Sequence, residues 1–300
     1  MIDNSPTLSF LILGSDSQVG AAMVQLLKSR SIPYVALRCE HCWQEDALRA
    51  FLAEHRKVQF VLNALFEQPE ESAQPDFKQW YSLAQRLQVE THANKQVLLL
   101  LSSAQVFSGG SARPYLETDQ PDAGLPYGDA MAAIEQSVLK AGQQSIVVRV
   151  GWLFSDQPEH FLACLVDAAV QQEKLSFSGK LSGNPTDSNA VAKVFLAIAE
   201  QVDCGVEEPA LWGIYHYADS DACTMHTFAK AVITVVKSMT EVRVESILES
   251  DSPDMVDAVL QPENYELSCR KILSTFGIKQ RPWRRSVQEV LTGLLDEPLS

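Results

Sequence analysis

Carbonyl reduction asks a protein for a hydroxyl that polarises the carbonyl and a phenol that supplies a proton. This chain offers Ser102-Ser103 and, farther on, Tyr127. Ser103 is the candidate polarising group and Tyr127 the candidate acid. A tyrosine left at its ordinary pKa of about 10 is a reluctant partner near neutral pH. The remedy is a lysine one helical turn later, where its ammonium lowers the phenol's pKa and holds the ribose of a nicotinamide. Here that position is Met131, in the tract Tyr127-Gly128-Asp129-Ala130-Met131. Lys140 lies more than three turns on, too far to substitute from the same helix.

A second group of residues could seat a dinucleotide. Gly14-Ser15-Asp16-Ser17-Gln18-Val19-Gly20 follows a strongly apolar run. A strand, a glycine turn and a helix N-terminus together make a seat for a pyrophosphate. The middle position, where backbone and phosphates come closest, carries Ser17 instead of glycine, and Asp16 brings a negative charge beside it. The plain alternative is a tight turn with Gly20 serving helix–strand packing. At the end of the next strand stands Arg38, which suits the 2′-phosphate of NADP(H) better than the bare ribose of NAD(H); an exposed structural arginine would look the same. Cys39-Glu40-His41-Cys42 has C-x-x-C spacing, but no second cysteine pair exists to complete a metal site, so the spacing is read as accidental.

These residues need a frame. Apolar runs alternate with helical patterns through the first half of the chain, the mark of parallel βαβ units. Strands are expected at 8–13, 34–37, 60–65, 96–102 and 145–150, with helices at 18–29, 44–54, 77–93 and 129–140. Past Trp152 the pattern loosens: a helix at 159–172, a Ser/Gly/Asn/Pro-rich loop at 176–188, a helix at 189–201, a strand at 213–217, and helices at 224–237 and 286–295. The expected fold is α/β, a Rossmann-type doubly wound parallel sheet over 1–155. A smaller substrate lobe is expected over 156–300, with some of its segments returning to the sheet.

The bulk numbers fit a globular chain. Of 300 residues 46% are apolar, and 24 Lys and Arg stand against 38 Asp and Glu, a formal charge of −14. Such a surface keeps a protein in solution and repels nucleic acid and anionic membranes. Six cysteines make no disulfide framework, and neither a signal peptide nor a membrane span is read, so a cytoplasmic setting is expected.

Several segments in order resemble the dTDP-4-dehydrorhamnose reductase family of extended short-chain dehydrogenases. Leu11-Ile12-Leu13-Gly14 through Gln18-Val19-Gly20 is similar to its first strand and G-x-x-G-Q-x-G turn, and Asn63-Ala64 to its N-A-A. Leu101-Ser102-Ser103-Ala104-Gln105-Val106-Phe107 resembles I-S-T-D-Y-V-F. Pro114-Tyr115, Glu117-Thr118-Asp119 and Pro126-Tyr127-Gly128 follow P-Y-x-E-x-D…Y-G. Arg149 to Phe154 resembles R-T-S-W-V-F, and Gly183-Asn184-Pro185-Thr186 resembles G-S-P-T. Gly213-Ile214-Tyr215-His216 and Arg281-Pro282-Trp283-Arg284 complete the set. The resemblance implies that Gly14, Ser17, Gln18, Val19, Gly20, Asn63 and Ala64 face a nicotinamide cofactor. It puts Ser103 and Tyr127 at the catalytic Thr and Tyr, and Trp152, Asn184, Pro185 and Thr186 toward a sugar nucleotide. Read without the family, Trp152 is a packing residue after a buried strand. The regulatory β-subunit of methionine adenosyltransferase uses the same fold.

The departures are Ser17, Ala104, Gln105 and Met131. Loss of one preorganised charge costs about 3 kcal/mol, roughly a hundredfold in rate. Two functions follow from the resemblance. One is a sugar-nucleotide and NAD(P)-binding protein with a degraded site, acting without catalysis through a protein partner or a second copy of itself. The other is an active NADPH-dependent reductase of a 4-keto sugar nucleotide. A redox or metal role for Cys39 and Cys42 is a distant third, and a displaced lysine, such as Lys180 or Lys271, is a rescue open to the missing ammonium.

Overall fold

Runs of large aliphatic residues too short for helices bury best as parallel strands covered on both faces. In the computed structural model, which describes residues 8–67, 76–139, 144–157, 160–205, 211–250 and 264–296, the first half folds in that way. It comprises β1 (Phe10–Leu13), α1 (Gln18–Ser29), β2 (Tyr34–Leu37), α2 (Cys39–Cys42), α3 (Glu45–Glu54), β3 (Phe60–Asn63), α4 (Phe77–Asn94), β4 (Val97–Ser103), α5 (Pro126–Val138) and β5 (Ser145–Val150). The second half adds β6 (Trp152–Phe154), α6 (Phe161–Gln171), β7 (Lys174–Ser178), β8 (Ser182–Gly183), β9 (Pro185–Asp187), α7 (Ser188–Asp203), β10 (Gly213–Tyr217), β11 (Cys223–Thr224), α8 (Met225–Met239), β12 (Ser246–Ser250), α9 (Arg270–Phe276) and α10 (Trp283–Asp296).

Six strands form one parallel sheet in the order β10-β5-β4-β3-β1-β2. Side chains alternate across it. Phe10, Ile12, Phe60 and Leu62 pack on one face with Val19, Met23 and Leu27 of α1. Leu11, Leu13, Val61 and Leu98 pack on the other with the α3, α4 and α5 side. The doubly wound expectation therefore holds. The strand order reverses between β1 and β3, so a crevice opens at their carboxyl ends, the place where such sheets take ligands.

Three expectations are corrected. β3 stops at Asn63 and not at residue 65, because the Asn63 side-chain oxygen accepts the Leu65 N–H at 3.1 Å and turns the chain. The fifth helix starts at Pro126, whose ring suits a first helical position, and ends at Val138; Lys140 lies outside the described residues. The stretch 176–188 is not one loop. It holds the end of β7 and the short strands β8 and β9, which pair with β12, β11 and β6. Glu159, read as a helix start, lies outside the described residues.

Candidate functional site

The four leading N–H groups of a helix have no partner within it, and at α1 all four are taken. Ser17 caps the helix: its own N–H donates to Gly14 O at 3.0 Å, and its Oγ accepts from Gly20 N–H at 3.1 Å. The other two donors converge on one side chain from the segment after β3. Gln18 N–H donates to Glu67 Oε2 at 3.0 Å and Val19 N–H to Glu67 Oε1 at 2.9 Å. A carboxylate thus straddles the helix N-terminus, where backbone donors and dipole both favour negative charge. Burial pushes the Glu67 carboxyl up to about 6, against the pull of those two N–H groups. Sequence reasoning missed Glu67: one glutamate in a polar loop carries no spacing signal.

The glycines do what the turn requires. Gly14 leaves β1 at φ +81°, with the Ala64 carbonyl 3.1 Å from where a Cβ would stand. A Cβ on Gly20 would overlap the Gly14 carbonyl oxygen. Asn63 is buried, and Ala64 N–H donates to Leu13 O at 3.0 Å, closing the crevice floor.

Ser103 and Tyr127 do come together. Ser103 ends β4, its Oγ accepts Gln105 N–H at 3.2 Å, and its hydroxyl also engages the Tyr127 phenol. The phenol donates to the Phe66 carbonyl at 3.0 Å. Burial drives the Tyr127 pKa well above its ordinary value; Ser103 opposes this, and the negative charges of Glu67 and Glu135 add to it. Met131, 0% exposed, fills the next turn of α5.

One turn further, Glu135 takes the fully buried Arg149 in a fork: Nη2 to Oε2 at 2.6 Å and Nε to Oε1 at 2.9 Å. Ser102 Oγ donates to the same carboxylate. Arg149 Nη1 lies 3.4 Å from His216 Nε2, and His216 Nδ1 lies 3.2 Å from the Tyr115 carbonyl. The carbonyl fixes Nδ1 as donor and leaves Nε2 to accept. Burial, then Arg149, hold His216 neutral, its pKa pushed down to about 3.

The remaining predicted residues lie elsewhere. Arg38 sits exposed at the end of β2, 3.4 Å from Asp16 and 3.7 Å from Glu40. Burial raises the Asp16 carboxyl, but the Cys39 N–H and Arg38 outweigh it and leave it below its usual range. Cys42 is buried with its thiol pushed up to about 12, Cys39 is raised further, and no metal-binding cluster occurs among the described residues. Trp152 pairs with Pro185 between β6 and β9 and lies against Gly183; its buried Nε1 has no hydrogen-bond partner among the described residues. Asn184 and Thr186 are buried and turned inward: Asn184 bridges Asp219 O and Leu267 N–H, and Thr186 Oγ1 donates to Asn184 O. Neither candidate lysine reaches Tyr127. Lys271 Nζ donates to Ile214 O at 2.6 Å, and Lys180 lines a separate shallow cavity with Gly109, Gly110, Ser182, Asn264 and Glu266.

The model of the RmlD substrate binding domain family matches residues 8–295. The chain belongs to that family. It is 25% identical to a dTDP-4-dehydrorhamnose reductase of Aggregatibacter actinomycetemcomitans, over 93% of this chain and 97% of that protein. It is 26% identical to methionine adenosyltransferase 2 subunit beta of Xenopus laevis, over 95% and 88%. A crystal structure of dTDP-4-dehydrorhamnose reductase from Bacillus anthracis in complex with NADP superposes with a TM-score of 0.81 at 18% identity, covering 96% of this chain and 99% of that one. No described helix is long and apolar enough to cross a membrane.

Against this family background, the nicotinamide dinucleotide can be tested for fit. The glycine cradle at Gly14 and Gly20 suits it. The donors do not: Glu67 and Ser17 occupy the α1 N-terminus, and Asp16 and Glu40 flank Arg38. The described arrangement does not fit a bound pyrophosphate, and no reaction step is derived through one.

A pH prediction follows. Glu67 and Asp219 are both pushed up to about 6 by burial. A raised acid holds its proton more tightly folded than unfolded, so its stabilisation is full below about pH 4 and is lost as pH rises through about 6. The melting temperature of this RmlD-family chain should therefore fall between pH 4.5 and 7. Glu67→Gln should flatten part of that slope; an unchanged slope would refute it.

Proposed function

We propose that this RmlD-family chain keeps the scaffold of a sugar-nucleotide reductase as a binding or regulatory protein and has given up hydride transfer through Tyr127. The observation that carries this reading is the bond from the Tyr127 hydroxyl to the Phe66 carbonyl, with Met131 in the turn where an ammonium would stand. A phenol so held, and acted on by two carboxylates, is a poor proton donor to a carbonyl. The ligand class is a nucleotide, either a sugar nucleotide or NAD(P)(H) in weakened form. Similarity to a protein named as a subunit of methionine adenosyltransferase supports a role exercised through a partner.

Turnover of NADPH with dTDP-4-dehydrorhamnose tests this directly. The wild type should not exceed background. Glu67→Gln with Met131→Lys, checked for folding by circular dichroism, should exceed the wild type by about a hundredfold, the worth of one preorganised charge. The contact between Ser103 and Tyr127 favours the second reading, an active reductase. Wild-type turnover that disappears in Tyr127→Phe would establish that reading and overturn ours.

A further inference from the structure

We propose that Glu67 is a built-in competitor for the anion seat of α1, so that Glu67, and not the glycine turn, sets how well this chain takes a pyrophosphate-bearing nucleotide. The inference rests on the reading above, that the crevice between β1 and β3 is a nucleotide crevice no longer used for hydride transfer. Three observations carry it. The Glu67 carboxylate accepts both N–H donors that Ser17 leaves free, in the two-point manner of a phosphate. The cradle behind it is intact, since Gly14 and Gly20 have kept the close backbone approach that only glycine allows. The segment is also held in place from outside. Phe66 stacks on Trp80 at 5.1 Å and lies 6.4 Å from Trp43, while its carbonyl accepts from Tyr127.

One consequence is that seat and phenol are coupled. Glu67 and Phe66 are neighbours, so lifting the carboxylate off α1 pulls on the bond that occupies Tyr127.

The titratable and charged groups around Glu67 come from four places in the fold. They are the Cys39 thiol of α2, the Tyr127 phenol of α5, and Asp16 of the β1–α1 turn with its partner Arg38. Cys39 and Tyr127 have raised pKa values and stay neutral through the acid range, and Asp16 stays ionised to lower pH than usual. Glu67 is then the group that changes charge near pH 6 at this helix end.

The experiment is calorimetric titration of the full chain with NAD⁺, whose pyrophosphate keeps its charge from pH 5.5 to 8. Glu67→Gln keeps the shape of the side chain and removes its charge; Glu67→Ala removes both. At pH 8 both variants should bind at least tenfold tighter than the wild type. Wild-type affinity should rise toward theirs as pH falls to 5.5, while Glu67→Gln changes little. Equal affinity of wild type and Glu67→Gln at both pH values overturns the proposal. If neither variant folds, the wild-type pH series decides alone: a flat or falling affinity on acidification overturns it. Wild-type turnover would defeat the proposed function, whereas unchanged affinity in Glu67→Gln would defeat this inference, and either result can occur without the other.

Discussion

Arg149→Met should cost about 3–5 kcal/mol of folding stability, because it leaves Glu135 charged, buried and without its cation. The arginine is 1% exposed and the carboxylate 2%. Three hydrogen bonds of the fork are lost at once, and Ser102 is left alone on a carboxylate that no longer has a counter-charge. His216 loses the donor at its Nε2. In a thermal melt the change should read as a drop on the order of 10 °C. Adding Glu135→Gln removes the orphaned charge and should recover more than half of the loss, since replacing both ends of a buried pair is far cheaper than removing one. A single variant that melts within 2 °C of the wild type would show that the pair contributes little. The pair lies one turn from Met131 and pins α5 to β5, so it also fixes where Tyr127 stands.

Gly20→Ala should be poorly tolerated as well. The added methyl group would overlap the Gly14 carbonyl oxygen and come within 2.9 Å of Ser17 Oγ. The first obstacle is backbone, which cannot turn aside as a side chain can. Overpacking of this kind costs about 3 kcal/mol or more, and the variant should be recovered mostly as insoluble chain. Gly124→Ala is the control. It has a positive φ of 69° but nothing within 4 Å of the new methyl group, so only backbone strain of about 1–2 kcal/mol opposes it. Equal yields and melting points for the two variants would refute the steric argument.

The elements that sequence reading located to the residue are the ones whose cause is local. Tyr34–Leu37, Ser145–Val150 and Gly213–Tyr217 are strands as expected. Each is a short run rich in β-branched and aromatic or aliphatic residues, a local signal for a strand, although only Ser145–Val150 is buried along its whole length. The Gly14–Gly20 turn was readable for the same reason: spacing and strand context dictate it. What escaped depends on partners distant in sequence. Ser182–Gly183 and Pro185–Asp187 look like loop because two or three residues show no period; their strand character comes from Cys223–Thr224 and Trp152–Phe154. At the site, the hydroxyl, the phenol and the thioether were visible as residue types. The occupation of the helix end by Glu67 was not, because it joins the first turn of α1 to a residue after β3, 48 positions away.

The place of β10 has a consequence for how the chain is made. A ribosome releases β5 long before it releases Gly213–Tyr217, the strand that closes the outer flank of β5. Until then the nascent sheet ends in an open rank of amide and carbonyl groups on Ser145–Val150, with Arg149 not yet joined by His216. Such an edge pairs readily with any extended segment it meets. A truncation that stops short of Tyr217 would keep that edge for good, and synthesis removes it only once Gly213–Tyr217 has emerged, after β6 to β9, α6 and α7.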